Sequence, residues 1–450
     1  MRWSLLRTVT LRPSVAIACC TRNAICWPSL LKFFKHQRVY KQQIKPRAGS
    51  TGKKMAGPLG QEEIERRALN YCRWQPVSTQ PVHASPNETA FSIMSYNLLA
   101  QTNLDNHPEL YRHCNPDHLE WEFRAKRLIK QMITHNCDIF CLQEVQEEHL
   151  LESIAPQLER AGYQYVYKGK TGGKIEGCAV FWRKEIFNIL QWSSVEMRVP
   201  GCRILNRDNI GLVTLLSPRD KPQAKLVVAT THLLFNPKRG EVKLAQLRYL
   251  LAEVEKVAFL GTCESDLSTP LYTPIILCGD FNSKPFCPLY EFIKQGKFTL
   301  DGLLHGEIAG RGGGQYIRPE EINVGNLLPC TILEDTYIGR YGIEAISTME
   351  RAYTNGFIYH LLGEFQSCYS HIKRDAAEVT SYNDDAVTVD YIFFQNSRLL
   401  RHVGTLSLMT LEELQSIGGL PNAAMGSDHL PLAARFILKT IPTGFLQTGL

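Results

Sequence analysis

No stretch of this 450-residue chain reaches the roughly 20 uninterrupted apolar residues that a membrane-crossing helix needs, so no span is expected. Its 14 cysteines include no Cys-x-x-Cys pair, which argues against a structural zinc site. Most cysteines sit inside apolar runs such as Ile139-Phe140-Cys141-Leu142 and Ile276-Leu277-Cys278. There a thiol behaves as a small buried hydrophobe, which suits a reducing, intracellular compartment. A Walker-type phosphate loop, a nucleophile-elbow serine and a His-Glu-x-x-His zinc signature are also absent, so the mechanisms they serve have no support. No repeat or low-complexity tract is present.

Acidic residues are missing from one end. Residues 1–61 hold 12 Lys and Arg and no Asp or Glu, while the remaining 389 carry 38 basic and 44 acidic side chains. The overall charge of +6 therefore joins a basic leader to a body of net −6. Arg2, Arg7, Arg12 and Arg22 interleave with Leu5, Leu6, Leu11, Val15 and Ile17, the composition of a mitochondrial transit peptide; a basic arm on a cytoplasmic or nuclear protein is the alternative. Three segments are expected: a leader and linker over 1–60, a connecting segment over 61–89, and one folded domain over 90–440.

Within the domain, β-prone runs alternate with helical periodicity. Strands are predicted at 91–96, 138–142, 163–167, 177–182, 225–231, 275–278, 388–394 and 432–438, and helices at 62–70, 121–134, 148–161 and 241–259. This alternation predicts a layered α/β domain. The pattern loosens over 301–383, which reads as a loop-rich insertion.

Polar residues close the hydrophobic strands: Asn97 after Ser95-Tyr96, Glu144 after Leu142-Gln143, and His232 after Thr230-Thr231. Asp280 and Asn282 follow Ile276-Leu277-Cys278-Gly279, Asp390 lies in Val389-Asp390-Tyr391, and Asp428-His429 follows Gly426-Ser427. Singly, a strand-terminal Asn or Asp more often starts a turn. Together they suit phosphate-ester hydrolysis with a hard cation. Mg²⁺ takes a few oxygen ligands and leaves positions for water and phosphate, and Glu144 is the best ligand for it. Asp280 with Asn282 can orient and deprotonate water. A His429 held by Asp390 can stabilise charge growing on phosphorus.

At these residues the sequence resembles the endonuclease/exonuclease/phosphatase superfamily, the DNase I-like hydrolases, from about Phe91 to Leu438. The resemblance implies a four-layer α/β sandwich, two central mixed sheets flanked by helices, with the site at the sheet mouths. It places Asn97 and Glu144 at the metal (Mg²⁺, with Mn²⁺ able to substitute) and Asp428 near it. It also puts His232 and His429 on the scissile phosphate, Asp280 and Asn282 on the attacking water, and Asp390 on His429. The run Thr230-Thr231-His232-Leu233-Leu234-Phe235-Asn236-Pro237 is similar to the deadenylase and nocturnin branch. Tyr111-Arg112-His113-Cys114, the run from Arg207 through Asn209 to Val213, and Asn236 to Leu244 look most like the Angel family.

That branch implies RNA 3′ ends as partner and removal of 2′,3′-cyclic phosphates as activity. Asn209, Pro237, Arg207, Lys238 and Arg239 are then the expected substrate contacts, within a basic rim that also takes Lys168, Lys170, Lys174, Arg203 and Lys243. In poly(A)-specific relatives an aromatic stands five residues before the aspartate matching Asp390; here that position is Asp385, which offers no stacking face. The alternatives are a 3′ exoribonuclease or deadenylase, and a non-catalytic RNA- or protein-binding scaffold.

Overall fold

A computed structural model describes residues 60–80, 82–263, 266–317, 357–383 and 385–440. The leader over 1–59, and with it the expected targeting segment, lies outside them, as does 318–356 of the expected insertion. Among the described residues no helix is long and apolar enough to cross a membrane.

Period-2 alternation, legible in the strands, decides the layering. In Phe91-Ser92-Ile93-Met94-Ser95-Tyr96, Phe91 and Ile93 pack into one apolar cluster while Met94 and Tyr96 pack into another. The same division separates Ile139 and Cys141 from Phe140 and Leu142, and Ile276 and Cys278 from Ile275 and Leu277. Strands buried on both faces must lie between two other layers.

Two mixed sheets result among the described residues. The first is built from β1 (Trp74–Pro76), β2 (Glu88–Asn97), β3 (Ile139–Gln146), β4 (Tyr163–Gly169) and β5 (Glu176–Arg183), with β12 (Leu400–Leu406) and β13 (Leu432–Lys439). Their order is β1-β12-β13-β2-β3-β5-β4. The second is built from β6 (Phe187–Arg198), β7 (Asn206–Pro218), β8 (Leu226–His232), β9 (Ile275–Asp280), β10 (Phe365–Ser367) and β11 (Asp390–Gln395) in the order β10-β11-β9-β8-β7-β6.

The cluster between the sheets takes Ile93, Cys141 and Val180 from the first and Leu212, Val228, Ile276 and Ile392 from the second. Helix Trp121–His135 and the turn Ala155–Arg160 cover the outer face of the first sheet through Leu128, Met132 and Leu158. Helices Gly240–Ala258 and Pro288–Gln295 cover the second through Leu247, Leu251, Phe292 and Ile293. Each such fully buried aliphatic or Phe side chain contributes roughly 1.5–3 kcal/mol by leaving water. The expected helix–sheet–sheet–helix sandwich is what forms.

Several elements depart from expectation. Residues 61–89, read as a connector, hold the expected short helix as Gln61–Tyr71 but also supply edge strand β1, paired antiparallel with β12 from Trp74↔Leu406 to Pro76↔Gly404. Strands β6, β7 and β12 had no counterpart in the sequence reading. The predicted helix over 148–161 becomes a run in which Leu150–Ile154 is π-helical ahead of Pro156. A proline has no N–H to give and disturbs the preceding turn. The expected insertion contains β10, an edge strand of the second sheet, paired with β11 from Phe365↔Gln395 to Ser367↔Phe393.

Candidate functional site

Sheet register assembles most of the site. Parallel pairing of β8 with β9 sets Asp280 against His232, and antiparallel pairing of β9 with β11 sets the same Asp280 against Asp390. Neighbouring strands run about 4.8 Å apart, so three polar residues from distant parts of the chain stand side by side. Gly279 makes this approach feasible: its φ is +140°, and a Cβ there would collide with the Thr231 carbonyl oxygen.

Asn97 ends β2 in register with Gln143. Glu144 follows in β3, where pairing with β5 skips between Leu142 and Val145 and Glu144 adopts φ +53°. A bulge of this kind re-aims a side chain, and here it turns the carboxylate towards Asn97. Asp428 and His429 lie just before β13, tied down by Ser427 Oγ, which donates to Asn97 O at 2.7 Å and accepts from His429 N at 3.1 Å.

The side chains form a connected set. Asn97 Nδ2 donates to Glu144 Oε1 at 3.0 Å and to Asp280 Oδ2 at 3.2 Å. Glu144 Oε2 accepts from Ala100 N at 3.0 Å and Asn103 Nδ2 at 2.7 Å. His232 lies between two carboxylates, Nδ1 3.8 Å from Glu144 and Nε2 3.6 Å from Asp280. His429 Nδ1 meets Asp390 Oδ2 at 2.8 Å, while its Nε2 is 3.9 Å from both Asp280 and Asp428. Asn282 N donates to Asp280 Oδ1 at 2.9 Å. All but the half-buried Asn103 and Asn282 are buried.

Burial in this crowd separates the protonation states. Asp280 is pushed up to about 7 by burial and by the neighbouring Asp390. His232 is pushed down to about 3, chiefly by burial and then by Lys170, so it is neutral at pH 7. Burial works against the Glu144 carboxylate, yet His232, Lys170 and the Asn103 and Asn97 amides hold it down at about 2. Burial also opposes a charge on His429, but Asp390 and Asp428 outweigh it and hold the imidazolium. Burial raises Asp428.

Two buried atoms, His232 Nδ1 and Asp428 Oδ1, have no hydrogen-bond partner among the described residues. Oxygen-rich donors with orphaned buried atoms fit a hard divalent cation. Ligand atoms of Asp280, Asp390 and His429 also lie within 4.8 Å of one another. That closeness is largely the His429–Asp390 hydrogen bond, which occupies the imidazole Nδ1.

The expected substrate contacts divide. Pro237 and Lys238 lie on the loop after His232, with Pro237 half-buried and Lys238 exposed. Arg239 is ion-paired with Glu241, and Arg207 bonds Asn206. Asn209 is buried and fully engaged: Nδ2 donates to His232 O at 2.9 Å and Oδ1 accepts from Gln246 at 3.0 Å. Asn209 thus fixes the His232 backbone from behind.

The basic rim needs correcting at two positions. Lys243 is fully buried, its ammonium donating to Asn282 O at 2.6 Å. Lys170 is tucked against Glu176 behind Glu144. Lys243 points inward from its helix and Lys170 turns inward just past the end of β4, which charge counting cannot see.

Sequence reasoning missed Asn103, Arg124 and Gln246, and quoted Tyr111 without a role. Tyr111 OH donates to Asp428 Oδ2 at 3.0 Å. The buried Arg124 spans Leu98 O at 3.1 Å and Gly426 O at 3.0 Å, joining the loops that carry Asn97 and Asp428. Arg124 lies on the apolar side of its helix beside Leu128, and a charged residue at such a position was the available signal.

The chain is 38% identical over 393 residues to human Protein angel homolog 2, covering 79% of this chain and 70% of that protein. It is 39% identical over 374 residues to the zebrafish (Danio rerio) homolog 2, where the match covers 77% of this chain and 64% of the relative. The match thus takes in a little less than two thirds of that fish protein. A crystal structure of ANGEL2, described as a 2′,3′-cyclic phosphatase and bound to adenosine-2′,3′-vanadate, superposes with a TM-score of 0.69. It is 37% identical and the match covers 82% of this chain and 98% of that one. The Endonuclease/Exonuclease/phosphatase family profile matches residues 94–429, spanning every strand-end residue described above, and the chain belongs to that family.

Proposed function

We propose that this chain is a Mg²⁺-dependent phosphoesterase that hydrolyses 2′,3′-cyclic phosphates at RNA 3′ ends. The observation that carries the reading is the convergence of Glu144, His232, Asp280, Asp390 and His429 at one sheet mouth, with protonation states driven apart. The ANGEL2 likeness, at 37% identity, adds the substrate class.

In this reading Glu144, Asn97 and Asp428 hold Mg²⁺ or Mn²⁺, which when bound polarises the phosphoryl group and offsets its charge. Asp280, with the raised affinity for a proton that a base at neutral pH needs, accepts the proton of the attacking water. Asn282, two residues further on and bonded to Asp280 through its backbone N–H, orients that water. Neutral His232 and cationic His429 contact the phosphate oxygens, His429 held by Asp390. Opening the ring forms a bond from water oxygen to phosphorus and breaks one ribose oxygen–phosphorus bond. A second hydrolysis, of the monoester, releases phosphate. Exposed Asp385 itself offers no stacking face, so exchanging A, C, G and U at the 3′-terminal nucleotide changes turnover little. The basic leader, in the same reading, is a mitochondrial address; residues 1–55 fused to a reporter would send it to mitochondria, and a diffuse cytosolic signal would refute this.

Three end-labelled RNAs, bearing a cyclic phosphate, a linear 3′-phosphate or a poly(A) tail, test the activity. Metal-dependent loss of the cyclic phosphate without shortening of the poly(A) is the expected result. Progressive shortening of poly(A) would favour the exoribonuclease, and inertness towards all three would favour the scaffold.

A further inference from the structure

We propose that Phe235 is a stacking platform for the base of the 3′-terminal nucleotide, an inference that rests on the cyclic-phosphate reading above. Phe235 is 72% exposed. Single exposed hydrophobes are common and need no explanation by themselves; here the backbone that carries the ring is the unusual part. Leu233 N donates to Asp280 O at 2.9 Å, and Leu233 O accepts from Asn282 Nδ2 at 3.0 Å. Leu234 N donates to Gln246 Oε1 at 2.9 Å, and Gln246 in turn holds Asn209. On the far side, Asn236 accepts from Lys238 N at 3.0 Å and from Arg239 N at 3.3 Å.

The segment is therefore tied on its near side to Asp280, Asn282 and Gln246 and folded on its far side into a turn at Asn236, yet the ring it carries is left in water. A bulky ring left in solvent gains little from folding. Carried on an anchored backbone, it has only two side-chain torsions to fix on meeting a flat partner, which keeps the cost of binding low. Phe235 stands three residues beyond His232, at most about 11 Å along an extended chain, so its ring is within reach of the nucleotide whose phosphate lies at His232. Tyr96 and Tyr391, the tyrosines on the strands that carry site residues, are buried. Exposed Lys238 stands three residues further on, where it can meet an RNA phosphate. An aromatic face beside a basic side chain is how single-stranded nucleic acid is held without choice of base.

The test uses the full-length protein and two short RNAs ending in a 2′,3′-cyclic phosphate, one normal and one abasic at the terminal nucleotide. On the normal RNA, Phe235→Ala raises KM by about five- to a hundred-fold and leaves kcat near wild type. On the abasic RNA it changes neither constant. Phe235→Trp retains the wild-type KM, and Phe235→Leu behaves as the alanine variant. Trp192→Ala, which removes a ring exposed on edge strand β6, serves as the control and alters nothing. An unchanged KM in Phe235→Ala, an equal rise on both RNAs, or full rescue by leucine would each overturn the platform. Fluorescence anisotropy of the same RNAs separates this inference from the reaction it rests on. Base-dependent loss of binding in Phe235→Ala upholds the platform even if wild type turns over neither RNA, in which case only the hydrolytic reading falls.

Discussion

Lys243 shows how a single side chain can serve the site without touching substrate. Its ammonium is buried and pushed down to about 8, with burial as the main cause and Asp280 opposing it. In that position it grips the carbonyl of Asn282, a non-glycine residue at φ +48°, a conformation uncommon without support. Lys243→Met removes the grip along with the cost of burying a charge. Steady-state kinetics should then show kcat down by on the order of a hundred-fold with KM changed only a few-fold, and thermal unfolding near or above wild type. A wild-type kcat would deny the residue this role. At this scale the strand-end residues were readable because each interrupts a hydrophobic run with a side chain that can act on phosphate. Lys243 and Lys170 were misread because a basic residue in sequence looks the same whether it points out or in. Tyr111 and Arg124 were passed over because their partners, Asp428 and Gly426, are about three hundred residues away.

Among the elements, the short paired segments preceding β11 hold a strain of a different kind. Glu378 is buried, one carboxylate oxygen lacks a hydrogen-bond partner, and burial pushes it up to about 7. Between its unfolded value of 4.5 and about 7, the folded protein binds more protons than the unfolded chain. Stability is therefore fullest below that window and falls as pH rises through it, by on the order of 2–3 kcal/mol. Glu378→Gln should flatten this slope and raise the unfolding temperature at pH 8; denaturation at pH 5 and pH 8 measures both. Loss of stability at pH 8 in the variant would contradict the sign.

Most strands buried on both faces announced themselves as dense apolar runs, though β7, with Ile210 and Leu212 on one face and Val213 on the other, was missed. β6 did not announce itself, because it is an edge strand whose pairing with β7 shifts register between Ile189 and Gln191 and again between Glu196 and Arg198. Each shift breaks the alternation on which the reading depends. β12 hides behind a similar shift between His402 and Gly404.

On the scale of the whole molecule, the charge of +6 belongs to the leader, and the body that carries the site is net negative. General cationic attraction therefore cannot bring RNA to the sheet mouths. With Lys170 and Lys243 turned inward, a few local cations remain, of which Arg207, Lys238 and Arg239 flank the site. Binding of a short single strand should accordingly depend weakly on salt, with a slope near −2 for three phosphates. Replacing those three residues with alanine should flatten it further, as anisotropy titrations at several salt concentrations would reveal. An unchanged slope would remove these side chains from the interface. The sandwich itself was legible, since the strand and helix periods of its central elements agree with its layers. The joining of residues 61–89 to the first sheet was not, since Trp74-Gln75-Pro76 is too short to carry a pattern.

The central claim is that one metal-dependent site at the sheet mouths hydrolyses cyclic phosphate, and its most direct test compares wild type with Glu144→Ala and Asp280→Ala on RNA carrying a 2′,3′-cyclic phosphate. The account predicts Mg²⁺-dependent hydrolysis by wild type that a chelator abolishes. Both variants should keep their fold by circular dichroism while losing about a hundred-fold or more of the rate. Wild-type rates in either folded variant, or hydrolysis indifferent to the chelator, would contradict it.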